Sequence, residues 1–319
     1  HKKIESFMFL KKFRVSITKL ILPLLYLILK PLKADTRIVN FFNEKRINAN
    51  KLYNFQKIID LLLGENKLIG LDVGAEGGFN SDNFFPKKYN KYFESILVDP
   101  FKTFSKEYKS KHIINKGFWS SRVKKNLFIL NKRPQSSSMY KPEIKSLPIY
   151  GFKEKDFELF KVSETVAVEC DTLSESLKEL NINQLDYLKI DTQGSELEIL
   201  KGIGDFRPLM IKCEVQIFPM YKNQPSWTEI TDYLYKLGYI ICDWKKIGSN
   251  VTRTPVEMDM IFVPNFLQDF GKKLIIKNEK EFICLMLITG QIDLLKKISK
   301  LLDFKNKEFF MKTEDKYFN

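Results

Sequence analysis

The stretch Tyr187-Leu188-Lys189-Ile190-Asp191-Thr192-Gln193-Gly194-Ser195-Glu196-Leu197-Glu198-Ile199-Leu200-Lys201-Gly202 decides the fold. Tyr187 to Ile190 is a short, mostly apolar run that ends on a carboxylate, Asp191. Gly194 permits a tight turn, and a helix pattern opens at Ser195-Glu196. This is a strand delivering an acidic group to its C-terminal end, which is where open α/β sheets bind ligands. A second strand–turn–helix unit lies upstream, at Leu71-Asp72-Val73-Gly74-Ala75-Glu76-Gly77-Gly78. Glycines in such a turn let backbone approach a ligand without a Cβ clash.

Outward from these two units, strands and helices alternate. Leu68–Val73 is apolar and is followed by the glycine turn and a helical stretch around Asn80–Phe85. Ser95–Val98 ends at Asp99-Pro100, with a helix pattern through Tyr108. His112–Asn115 begins a third strand. Residues 126–141 are rich in Asn, Arg, Pro and Ser and read as a β-rich excursion or mobile flap, whereas Val162–Cys170 is extended. Asp171 or Thr172 starts a helix as N-cap. After the opening stretch come the strand Leu209–Val215, the helix Trp227–Leu237, and the strands Tyr239–Trp244 and Met258–Val263 with only a loop between them. Alternating β and α units imply a mostly parallel sheet with helices on both faces. The last two strands, lacking a helix between them, pair as an antiparallel hairpin. The expected fold is α/β, a doubly wound Rossmann-like sheet closed by an antiparallel hairpin. Two apolar helical segments, Phe282–Ile288 and Ile292–Leu302, follow it as a hairpin that either caps the domain or forms a dimer surface.

Composition narrows the chemistry. The 319 residues carry a formal charge of +14, and the excess is concentrated at one end: residues 1–67 hold 14 Lys/Arg against 5 Asp/Glu, residues 68–264 hold 28 against 26. A nucleic-acid enzyme places positive charge around its active site, because phosphate contacts dominate affinity. Here the charge lies outside it, which argues against a nucleic-acid substrate. Four cysteines without a CxxC pair, Cys170, Cys213, Cys242 and Cys284, suit a reducing cytoplasm rather than a zinc site or a disulfide framework. With only His1 and His112 available, a general base is a carboxylate or a lysine.

Two carboxylates sharpen the glycine turn. Asp72, within its strand, would repel a dinucleotide pyrophosphate and suits a ligand with a free amino group, which describes S-adenosylmethionine. Asp99, ending the second strand, can accept two hydrogen bonds from ribose hydroxyls, or can cap the helix that starts at Pro100. Gly74, Ala75 and Gly78 complete the expected cofactor loop. Phe118, beside Trp119, either flanks the adenine ring or fills the core.

The glycine turn, Leu97-Val98-Asp99-Pro100, Cys170-Asp171-Thr172-Leu173, Leu188–Glu196 and Lys212-Cys213-Glu214-Val215 occur in this order. Over residues 68–264 the chain resembles the FkbM family of S-adenosylmethionine-dependent methyltransferases, most specifically in the Lys-Ile-Asp…Gly-x-Glu block followed by Leu-x-x-Leu-Lys-Gly. It departs from the family at Thr192-Gln193, where an apolar residue and Glu are usual. The resemblance implies a class I methyltransferase fold and methyl transfer to oxygen, commonly a hydroxyl of a sugar, a polyketide or a cell-surface glycan. The partner is then a small-molecule or glycan acceptor.

Asp191 is the first candidate for the base that takes the acceptor's proton, or else a structural residue bonding the turn amides. Glu214, ending a neighbouring strand, is the second candidate catalytic carboxylate. Asp191 and Glu214 alone are too few ligands to make a metal site. Glu196 either caps the turn or acts in the site. Tyr221 and Lys222 stand on a loop expected to touch the acceptor.

Residues 1–67 read as a basic, partly apolar helical arm and 265–319 as a C-terminal helical extension. Within the arm, Leu20 to Leu29 is too short to span a bilayer. Residues 1–34 read either as a helix docked on the protein's own core, the favoured reading, or as an anchor touching the inner face of the membrane. Two alternatives to the enzyme reading stay open: a nicotinamide-dependent dehydrogenase or epimerase, and a non-catalytic, membrane-associated glycan-binding scaffold on the same fold.

Overall fold

The computed structural model describes residues 54–100, 110–247 and 255–311. The chain divides into two compact units, and Ile59–Lys307 forms the larger one. The described residues outside it are 54–58 and 308–311. They hold the start of helix α1 (Gln56–Leu63) and helix α8 (Glu308–Met311). The basic arm, the expected helix after Pro100 and the loop before Pro255 fall outside the described residues.

The larger unit is built on a seven-stranded sheet: β1 (Leu68–Val73), β2 (Phe93–Val98), β3 (His112–Ile114), β7 (Tyr187–Ile190), β8 (Met210–Gln216), β9 (Tyr239–Ile247) and β10 (Glu257–Pro264). Its order is β3-β2-β1-β7-β8-β10-β9. The first five strands are parallel, and β10 pairs antiparallel with both β8 and β9. This is the Rossmann-like methyltransferase arrangement with its terminal hairpin. The chain runs from β1 towards one edge and returns at β7 to build the other, so the topological switch lies between β1 and β7. The opening stretch is therefore one wall of that switch.

Alternation along the strands gives the sheet two unlike faces. Leu71 and Val73 register with Ile96 and Val98 on one side and with Leu188 and Ile190 on the other. These residues join Ile211, Cys213 and Met260 in the main apolar cluster. Helices α2 (Leu173–Glu179), α3 (Glu196–Lys201) and α4 (Trp227–Lys236) cover this face with Leu173, Leu177, Leu197, Leu200, Ile230 and Leu234. Thr172 is the N-cap of α2, its hydroxyl accepting from the Glu175 amide, and Ser226 and Glu229 form a capping box on α4.

The opposite face carries charge. Asp72, Lys189 and Lys212 lie in one row across β1, β7 and β8, and all three are buried. Lys189 Nζ is 3.0 Å from Asp72 Oδ1, and Lys212 Nζ is 2.5 Å from Asp82 Oδ2 and 2.7 Å from Asp259 Oδ1. Buried ions of this kind persist only when paired, since an unpaired buried charge costs several kcal/mol. Phe79, Phe85, Phe93 and Tyr187 pack as an aromatic cluster beside them.

The helix expected around Asn80–Phe85 is not formed. Asn80 and Asn83 sit at φ 56° and 53°, in the left-handed region, which no right-handed helix passes through. The Asn80 side chain donates to the Phe85 carbonyl and accepts from its amide, fixing a turn instead.

A second, three-stranded sheet has the order β4-β6-β5, from β4 (Gly117–Phe118), β5 (Val123–Ile129) and β6 (Glu164–Asp171). The excursion over 126–141 is an ordered part of it: β5 is followed by a 3₁₀ turn over Pro134–Ser136, tied back by the Leu130 amide on Ser137 Oγ and the Phe128 amide on the Ser138 carbonyl. At the C-terminal end, α5 (Asp269–Lys277), α6 (Glu279–Ile288) and α7 (Ile292–Leu301) follow the hairpin. Phe282 to Ile288 are buried within the single chain, so this apolar segment caps the fold.

Candidate active site

A cavity of about 540 Å³ opens at the switch point, against the C-terminal ends of β1, β2 and β7. That volume lies in the range of small-molecule pockets. Gly74, Asp99, Phe118 and Asp191 all line it. Four strands thus bring together residues that are more than a hundred positions apart.

Gly74 joins two strand ends. Its amide donates to the Val98 carbonyl at 3.0 Å, and the Asp191 amide donates to the Val73 carbonyl at 3.0 Å. Its φ is +77°, and a Cβ there would stand 1.9 Å from the Asp191 carbonyl oxygen. Glycine is required by the close approach of β1 and β7 as much as by any ligand.

Asp191 lies at the end of β7 with its carboxylate a quarter exposed. Its Oδ2 is 3.7 Å from Lys189 Nζ, and its Oδ1 accepts from Gln193 Nε2 at 3.2 Å. The amides of the following turn do not use it. Those of Thr192 and Gly194, with the Thr192 hydroxyl, donate to a single oxygen, Glu196 Oε1, at 3.0 to 3.1 Å. Glu196 is buried and is the turn cap; burial pushes its carboxyl above the ordinary value, and the amides from Gly194 and Thr192 pull it back. Asp191 is left facing the cavity.

The remaining expected residues lie elsewhere. Asp72 does not line the cavity. It is on the charged face, its Oδ1 on Lys189 and its Oδ2 accepting from the Asn80 amide at 3.3 Å. The alternation that puts Val73 under the cavity turns Asp72 away from it. Ala75 and Gly78 are buried and close the turn through the Gly78 amide on the Ala75 carbonyl, so they shape the loop without lining the cavity. Glu214 also lies outside the lining. Burial, then the nearby charge of Asp191, holds its carboxyl well above the ordinary value. Tyr221 is fully buried, its hydroxyl 2.9 Å from both the Ser136 carbonyl and Gln193 Oε1, so it is not an acceptor contact; Lys222 remains exposed. Trp119 packs behind the cavity with Lys125 over its ring at 4.1 Å.

Three lining residues escape a reading of the sequence. Glu76, exposed on the glycine turn, Glu164, at the start of β6, and Lys116, before β4, all line the cavity. Glu76 had a signal, its place between two turn glycines. Glu164 and Lys116 had none, because only the small sheet brings them to the crevice: Glu164 pairs with Ile129 of β5, and Lys116 precedes the β4 residues that pair with Cys170 and Asp171. With Asp99 and Asp191, the cavity presents, among the described residues, four carboxylates against one lysine, beside an apolar wall of Val98, Phe118, Leu127, Ile129 and Val166. Such a site takes a ligand with positive charge and a flat or aliphatic body.

A family model described as a methyltransferase FkbM domain matches residues 72–241, a little over half of the chain. The chain belongs to the FkbM methyltransferase family. The match begins on Asp72 in β1 and ends in β9, so it takes in both walls of the crevice. No curated protein matches the chain. Members of the family generally use S-adenosylmethionine, and the donor set here fits that group: acidic positions for a sulfonium and an amino group, a carboxylate on β2 for ribose hydroxyls, and an apolar slot for a purine.

Proposed function

We propose that the protein is an S-adenosylmethionine-dependent O-methyltransferase acting on a hydroxyl of a sugar, a glycan or a related metabolite. The observation that carries this reading is the crevice itself, with Asp99 and Asp191 at the ends of β2 and β7 and four carboxylates in one lining. Asp99 would hold the ribose hydroxyls, Phe118 and Val98 the adenine, and the turn at Gly74 the amino-acid end of the cofactor. When bound, S-adenosylmethionine supplies a methyl group already made electrophilic by its sulfonium. What remains for the protein is to align an acceptor and remove its proton. A hydroxyl must lose its proton as the new C–O bond forms, and Asp191 is the carboxylate facing the cavity from the switch point. Lys189 steadies the second oxygen of Asp191 from the buried side.

The same lining disfavours a nicotinamide-dependent enzyme. Glu76, on the glycine turn, would face a pyrophosphate, and like charges there are repulsive; Asp72, paired to Lys189, plays no part in that argument. A purely binding role on this fold would leave the carboxylate array without a use. The four cysteines are free, which supports a reducing compartment.

Calorimetric titration tests the reading. S-adenosylmethionine should bind saturably, and Asp99→Ala should weaken it about tenfold or more, since a charged hydrogen-bond partner contributes roughly 1.5–3 kcal/mol. Absence of binding at millimolar ligand would overturn the proposal.

A further inference from the structure

We infer that Gln193 is a positioning residue that aims Asp191 into the crevice by bridging it to Glu214. This inference rests on the reading of Asp191 as the group that takes the acceptor's proton.

Each polar group of the Gln193 side chain is engaged. Its Nε2 donates to Asp191 Oδ1 at 3.2 Å and to Glu214 Oε1 at 2.7 Å, one hydrogen to each carboxylate. Its Oε1 accepts from the Tyr221 hydroxyl at 2.9 Å. That hydroxyl also reaches the Ser136 carbonyl, and the Gln193 carbonyl accepts from Ser138 Oγ at 2.6 Å. The amide is thereby oriented: turned over, its oxygen would face two acidic groups. The backbone is held too, at φ +59°, a left-handed conformation that costs a non-glycine residue stability unless its surroundings enforce it.

The consequence concerns charge. Lys189 and Lys212 face Asp191 from β7 and β8, Glu196 from α3, Glu214 from β8, and Glu257 and Asp259 from β10. Lys189 reaches only the Oδ2 side. On the Oδ1 side, Gln193 is the neutral donor set between Asp191 and the acidic groups of β8 and β10. Without it, Asp191 would lose the contact that fixes its rotamer. Through Tyr221 the same side chain links Asp191 to the Ser136 carbonyl, while the Gln193 backbone carbonyl is held by Ser138, both within the Pro134–Met139 wall of the cavity.

The test compares Gln193→Met and Glu214→Gln with the unsubstituted protein, in the full chain. Gln193→Met keeps the side-chain length and removes the donor, whereas Glu214→Gln leaves the Gln193 donor on Asp191 in place. Gln193→Met should lower the thermal midpoint by about 3–6 °C, from a lost charged hydrogen bond. The carboxyl carbon resonance of Asp191, followed by NMR in protein labelled at aspartate, should move in Gln193→Met and move less in Glu214→Gln. A lowered midpoint with an unmoved Asp191 resonance would assign Gln193 a structural role only and overturn the inference. So would a shift in Glu214→Gln as large as that in Gln193→Met. Should Gln193→Met fail to fold, Gln193→Asn, whose shorter amide does not span both carboxylates, is read by the same resonance, which should move; an unmoved signal overturns the inference. Neither readout uses the cofactor, so failure of the Gln193 link and failure of S-adenosylmethionine binding are separate results.

Discussion

Gly74 and Asp72 stand two residues apart and show what a strand end decides. The turn glycine is fixed by backbone geometry, because β1 and β7 approach until a Cβ at Gly74 would lie 1.9 Å from the Asp191 carbonyl. Gly74→Ala should therefore cost about 2–4 kcal/mol, the sum of left-handed strain and a forced separation of two strands. Urea unfolding measures this directly, and an unchanged midpoint would show that β1 and β7 separate at no cost. Asp72 has the right residue type for a cationic ligand but the wrong parity, since it alternates with Leu71 and Val73 of the apolar face. The sequence shows the carboxylate; which face the crevice occupies appears only when Lys189 of β7 registers beside it. Gln193 is the converse case. It stands out in the sequence only as a departure from a family pattern, and its partners Glu214 and Tyr221 lie 21 and 28 positions away. For Glu196 the sequence leaves two readings, a cap or a site residue, because a carboxylate two residues after a turn glycine can serve either; the structure makes it the cap.

At the scale of elements, the strands were readable wherever apolar runs met turn residues. The closing hairpin followed from the lack of a helix between β9 and β10. Of the small sheet, the β-rich character around β5 and the extended run of β6 were readable, but β4 was not, because it has two residues and pairs with a strand some fifty positions later. The turn over Asn80–Phe85 was misread because helix periodicity carries no sign of two asparagines at positive φ. Strand β10 also brings acid beside the site. Burial, opposed by the Arg133 charge and aided by Asp191, pushes the Glu257 carboxyl from its ordinary 4.5 to about 7. A carboxyl raised on folding binds its proton more tightly in the native state, so its contribution is present below pH 4.5 and is lost as pH rises through about 7. Wild-type stability should accordingly fall between pH 5 and pH 8 by on the order of 1–3 kcal/mol more than that of Glu257→Gln. Denaturant unfolding across that range checks it; parallel pH profiles for the two proteins would contradict the assignment.

For the molecule as a whole, the sheet order β3-β2-β1-β7-β8-β10-β9 places the switch, the glycine turn and Asp191 at one opening. That convergence was foreshadowed by two motifs and is made by the fold. Among the described residues no helix is long and apolar enough to cross a membrane. The membrane reading of residues 1–34 concerns a segment outside the described residues, and its test is liposome pelleting of the chain with and without them. A second wall of the cavity is built by β5 and β6, which supply Leu127, Ile129 and Val166. No local motif encodes that wall, because it is assembled from strands that meet only in three dimensions. We propose that this cavity holds S-adenosylmethionine with its ribose on Asp99 and its sulfur towards Asp191. A crystal structure with S-adenosylhomocysteine bound is the decisive experiment. Expected are both ribose hydroxyls on the Asp99 carboxylate, the adenine against Phe118, and the sulfur on the Asp191 side with space beyond it. Ligand bound elsewhere, or bound here with Asp191 turned away from the sulfur, would contradict it.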